Sequence, residues 1–139
     1  MKLTFEFDEA SLKKIADGLV SNSDLKMAMG KACAVVERRA KELAPKDTGE
    51  LRRSITSEVS ECDIGIEGIV FTPLEYAPYV EFGTGLFAEK GGRTDVPWHY
   101  KDDEGNWHTT SGQHPQPYLR PALADSREEI IKILRGVFE

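Results

Sequence analysis

The chain has 139 residues, of which 40% are hydrophobic and 30% charged, and its net charge is −6. A chain of this length buries roughly 68–70% of its unfolded surface, so a core is expected without metals or disulfides. The acidic balance argues against phosphate-driven nucleic-acid binding, and no apolar run approaches the roughly 18 residues of a membrane span. The predicted elements start with a helix. Asp8 is its expected N-cap, Phe7 its staple, and Leu12, Ile15, Ala16, Leu19 and Val20 form one apolar stripe. Ser21-Asn22-Ser23 breaks it.

Ser23 or Asp24 is expected to cap a second, longer helix. Leu25, Met29, Ala32, Val36, Ala40 and Leu43 repeat at spacings of three and four along it, and Pro45 ends it. Asp47 and Glu50 have the spacing of a capping box, which predicts a short helical turn through Leu51 and Arg53. From Ser54 the period changes to two. Two antiparallel strands are expected at 54–61 and 64–72, joined around Glu61-Cys62-Asp63. Pro73 ends the second strand. After the glycine-rich stretch 89–93, Trp98-His99-Tyr100-Lys101 and Asn106-Trp107-His108-Thr109-Thr110 flank an acidic turn with glycine, which predicts a second hairpin. A last helix is expected from about Pro121 to Val137, with Leu123, Ile130, Leu134 and Val137 on one stripe and a possible restart at Ser126. The order predicts an α+β fold. A small antiparallel sheet of two hairpins packs against a long helix of the N-terminal half and a C-terminal helix. Residues 1–139 are expected to form a single domain with long loops at about 83–97 and 101–116.

Charge is uneven. Residues 1–50 hold nine basic and nine acidic side chains, whereas residues 51–139 hold nine basic and fifteen acidic. The N-terminal residues lack an apolar signal core, so secretion is not expected. Cys33 and Cys62 form no CxxC pair and are expected to be reduced.

Chemistry has few candidates. His99, His108 and His114 lie near Asp102 and Asp103, and His99 and His108 face each other if the hairpin register allows it. Zinc needs about four converging ligands, and no HExxH-type motif joins these residues. Ser54 or Ser111 beside a histidine offers a nucleophile, but there is no GxSxG elbow. Gly83-Thr84-Gly85 lacks the P-loop pattern. No catalytic residue, metal ligand or cofactor is therefore assigned. Glu81 stands out, because it lies between Val80 and Phe82. Either it points to water, or it is buried and paired with Arg53, Arg52 or Arg120.

Three segments recur in order: Ala44-Pro45-Lys46-Asp47-Thr48-Gly49-Glu50-Leu51-Arg52-Arg53-Ser54-Ile55, then Tyr76-Ala77-Pro78-Tyr79-Val80-Glu81-Phe82-Gly83-Thr84-Gly85, then Gln116-Pro117-Tyr118-Leu119-Arg120-Pro121-Ala122-Leu123. Together they resemble the gene-product-ten-like morphogenesis proteins of tailed bacteriophages, over roughly residues 10–137. The matching positions are Pro45, Thr48, Gly49, Leu51, Ser54, Tyr76, Ala77, Tyr79, Glu81, Gly83, Thr84, Gly85, Pro117, Leu119, Pro121 and Leu123. The resemblance implies that they shape the fold and interfaces rather than bind a ligand. It implies a non-enzymatic structural protein of a phage or prophage, acting in head–tail joining or tail completion. Its implied partners are copies of itself in a ring and other head, neck or tail proteins, with no specific nucleic acid and no membrane. Its implied location is the bacterial host cytoplasm during assembly, then the virion. The alternatives are a small metal-dependent or hydrolytic enzyme using the His99–His114 region, and a protein-interaction adaptor unrelated to phage.

Overall fold

The structure, a computed structural model, describes residues 2–3, 17–46, 49–62, 65–89, 92 and 95–139. The chain divides into two compact units. One takes the residues up to Thr72 together with Tyr118–Glu139, and the other is Pro73–Pro117. The body of the predicted first helix, with Asp8, Leu12 and Ile15, lies outside the described residues.

The first unit is built around helix α1, Asn22–Leu43. It starts earlier than the sequence predicts. Ser21, not Ser23 or Asp24, is the cap: its hydroxyl accepts from the Asp24 N–H at 3.1 Å, and the Asp24 carboxylate accepts from the Ser21 N–H at 3.3 Å. This reciprocal pair satisfies two helix-end donors, so Asp24 serves as the third residue of the helix. The predicted stripe is buried at Leu25, Met29, Ala32, Val36 and Ala40, and Ala28 and Cys33 widen it. At the other end Ala44 turns to an extended conformation, as a residue before proline must.

Helix α2, Glu50–Ser54, follows. Its N-cap is Gly49, with φ 75°, and no side chain caps it. The predicted cap Asp47 and the motif residue Thr48 lie outside the described residues. Strands β2, Thr56–Cys62, and β3, Gly65–Phe71, pair antiparallel from Thr56↔Phe71 to Cys62↔Gly65. A strand that the sequence reading did not contain, β1 at Lys2–Leu3, pairs with the other edge of β3. The three-stranded order is β1-β3-β2.

Helix α1 packs on this sheet and on the C-terminal helix of the same unit. The register puts Ser57 and Val59 of β2 beside Val70 and Gly68 of β3. This face meets α1: a Cβ on Gly68 would come to 2.5 Å from the Cys33 sulfur and 2.9 Å from Met29 Cγ. Only a residue without a side chain lets the helix approach so near. Ser57 also donates to Glu37 of α1 at 2.8 Å.

The C-terminal helix, Leu119–Gly136, begins at Tyr118, whose side chain is fully buried. Pro121 falls in its first turn, where the missing N–H costs no helical hydrogen bond. The buried residues are Ala122, Ser126, Ile130 and Leu134, an i, i+4 row. Leu123 and Val137 are half-buried beside it. The helix does not restart at Ser126, because that residue lies on the buried face of one continuous helix.

The second unit begins with a short helix, α3, at Ala77–Phe82, followed by a 3-10 turn at Gly85–Phe87. Strands β4, Trp98–Lys101, and β5, Trp107–Thr110, form the second predicted hairpin. Each hairpin thus belongs to its own antiparallel sheet, and the class is α+β. The C-terminal helix is α4 in this numbering.

Candidate functional site

The Tyr76–Gly85 segment is inside out relative to its composition. Helix α3 buries Ala77 and the charged Glu81, the latter 3% exposed. Its aromatic side chains face outward instead. Tyr79 is 61% exposed and Phe82 44%, with Tyr76, Leu86 and Phe87 also exposed. Of the two expectations for Glu81, the water-facing one does not hold. A carboxylate so far from water is kept there by polar partners, since burying it alone would be costly.

The segment is set in a rigid frame. Pro78 lies in the first turn, and the helix stops at Gly83, whose N–H bonds the Tyr79 carbonyl at 2.9 Å. Gly83 takes φ 82° and Gly85 φ 60°, the positive φ expected of a glycine stop. Thr84 then pairs with a distant stretch. Its N–H donates to the Gln113 carbonyl at 2.9 Å, and its hydroxyl accepts from the Gln113 N–H at 2.9 Å. The Leu86 N–H bonds the Ser111 carbonyl at 2.9 Å, and the Gln116 N–H bonds the Val80 carbonyl at 2.8 Å. Sequence reasoning missed Ser111, Gly112 and Gln113 as supports. Pairing across about 27 residues leaves no local pattern, and only the glycine at 112 hinted at it.

Leu51 is buried. The Ser54 hydroxyl donates to the Leu51 carbonyl at 2.7 Å and accepts from the Thr72 hydroxyl at 2.6 Å, joining the end of α2 to the end of β3. Pro45, Pro117, Leu119, Pro121 and Leu123 are half-buried. Tyr118 is more deeply buried than any of these five, and its place between Pro117 and the helix start was the available signal.

The histidines do not converge. His108 lies 2.7 Å from the Asp102 carboxylate and stacks on Tyr100 at 5.2 Å. His99 bonds the Thr109 hydroxyl at 2.8 Å, and the His114 ring lies 3.9 Å from that of Phe87. The register pairs Tyr100 with His108 and His99 with Thr109. His99 and His108 therefore point to opposite faces of the hairpin and do not face each other, as a one-residue offset dictates. Among the described residues, no group of three or more His, Cys, Asp or Glu is placed to hold a metal ion. The bond with His108, then that from the Asn106 N–H, holds Asp102 below the usual carboxylate range.

Two further titrating groups lie in the first unit. Burial, then the nearby Glu37 charge, pushes the Cys33 thiol up, as suits a packing residue. Partial burial opposes the Glu37 charge, but hydrogen bonds from Lys41 and Ser57 and the Lys41 charge outweigh it, so its carboxyl sits below the usual range. Among the described residues, no helix is long and apolar enough to cross a membrane.

The braced coil therefore presents exposed aromatic residues to solvent. No curated protein and no solved structure matches the chain. A family of phage proteins does match, over residues 9–83, which hold α1, α2, the first hairpin, α3 and Gly83. The chain belongs to this family, the HK97-gp10-like proteins described as "Bacteriophage HK97-gp10, putative tail-component".

Proposed function

We propose that this tail-component family member is a non-enzymatic part of the virion that completes the tail or joins it to the head. It acts as a ring of copies bound to other head, neck or tail proteins. The observation that carries the reading is the reversed burial of α3: Glu81 inside, Tyr79 and Phe82 outside. Exposed apolar clusters mark protein contact sites, and aromatic residues are the usual anchors of interfaces.

Assembly buries these side chains against neighbouring subunits, and association belongs to the growing particle, where several neighbours act together. The chain works in the host cytoplasm during assembly and afterwards in the virion. The acidic excess of residues 51–139 keeps DNA from adhering to it.

The test is complementation of a phage lacking this gene with Tyr79→Ser/Phe82→Ser. The expected result is folded protein, with full heads and separate tails that fail to join, or tails that end wrongly. Normal particles from this variant would overturn the reading. So would stoichiometric zinc with hydrolytic turnover, both lost on replacing His99, His108 and His114 by alanine, in favour of the enzyme alternative.

A further inference from the structure

An isolated two-stranded hairpin is marginal in water. The β4–β5 hairpin nonetheless presents large side chains to solvent on both faces, with Trp107 70% and Tyr100 43% exposed. The register places Tyr100 and His108 on one face and His99, Lys101 and Trp107 on the other. Its own side chains stiffen it. His108 holds Asp102, Tyr100 stacks on His108, and Lys101 lies 6.0 Å from the Trp107 ring. The Asp102 carboxylate also accepts from the Asn106 N–H at 2.8 Å, closing the turn. The result is a preformed arm with aromatic groups on both sides.

Among the described residues both strands of this arm are edges, because their sheet is two-stranded. Sheet edges are templates for another strand. The three-stranded sheet also has an edge at β2. Charge selects between partners. Strands 98–101 and 107–110 carry Lys101 and no acid, while β2 carries Glu58 and Glu61 and no base, and Glu61 is paired with Lys26 at 3.1 Å, which leaves Glu58 as the acid of the edge. The acids of the turn lie beyond the strand ends, and Asp102 is engaged with His108. For a chain of net charge −6, most approaches of two copies are repulsive, and this one is not.

We propose that β4 of one copy pairs along the β2 edge of the next copy, bringing Lys101 to Glu58 and continuing the sheet across subunits. The two surfaces differ, so the contact is heterologous, and its repetition gives a ring where the rotation closes. The inference rests on the assembly reading above and names the contact that builds the ring.

The test measures copies per particle for the unmodified chain, Lys101→Glu, Glu58→Lys and the double charge swap, in particles grown from the phage genome. Both side-chain changes are on exposed positions, and circular dichroism checks that each variant is folded. Each single variant is expected to fall at least tenfold, and the double variant to recover. A photo-crosslinking benzoylphenylalanine at position 107 is expected to capture a peptide spanning residues 56–62 of another copy. Single variants that incorporate normally, a double variant that does not recover, or a crosslink elsewhere would overturn the inference and leave the tail-component reading standing. An unmodified chain that never enters particles would overturn both.

Discussion

Gly85 and Gly112 cross backbone to backbone, so closely that neither position has room for a methyl group. A Cβ on Gly85 would lie 2.8 Å from the Gly112 Cα, and one on Gly112 would lie 2.8 Å from the Gly85 Cα. Both residues also have positive φ, 60° and 121°. Gly85→Ala and Gly112→Ala are each expected to destabilise by more than about 1 kcal/mol. Gly30, inside α1, has nothing within 4 Å of its would-be Cβ. Gly30→Ala is expected to stabilise by about 0.5–1 kcal/mol, because alanine is the better helix former. Urea denaturation of the three variants checks the opposite signs.

Glu81 gives a second contrast. Only 3% of Glu81 is exposed, and it has polar partners. Glu81→Gln leaves those partners mismatched and is expected to cost about 1–3 kcal/mol. Glu75, exposed six residues earlier, is expected to tolerate the same change within about 0.5 kcal/mol. A change below about 0.5 kcal/mol at Glu81 would show that its burial carries no energetic weight.

Glu37 predicts a pH dependence. Its folded carboxyl is held below the ordinary value by Lys41 and Ser57 against the cost of burial. A depressed folded value means that the stabilisation is fully present above the unfolded pKa of about 4.3 and is lost as pH falls through the folded one. Glu37→Gln is therefore expected to cost up to about 1 kcal/mol at pH 7 and progressively less as the pH drops below about 4. Denaturation across that range measures the difference, and a gap that stays constant would be the contrary result.

Tyr79 and Phe82 predict a separation of stability from assembly. Because both are exposed, Tyr79→Ser and Phe82→Ser are expected to change stability by no more than about 0.5 kcal/mol. Incorporation into particles is expected to be lost. Paired denaturation and particle assays check this, and a loss of folding alone would point to a structural role.

Local signals carried much of this fold in the sequence. The stripe of α1, the period-two run into the first hairpin, the acidic turn of the second and the stop at Gly83 all depend on neighbours a few residues apart. Errors were of two kinds. Where adjacent residues offered equivalent chemistry, as at Ser21, Ser23 and Asp24, the sequence reading chose the wrong cap. Where the determinant is non-local, as for β1 and the pairing of Thr84 with Gln113, no periodicity marks it. The contact surface was half legible. Its residues stand in a recognisable segment, but the segment alone leaves open whether Glu81 points to water or is buried.

The bond between Gln116 and Val80 closes a loop in the chain. Everything from Glu81 to Pro115 leaves and returns through one narrow neck, clamped by the crossing at Gly85 and Gly112. The family match ends at residue 83, close to where this excursion departs. The neck therefore makes a natural cassette boundary. A hairpin of different length or sequence grafted between Leu86 and Ser111 would keep its anchorage.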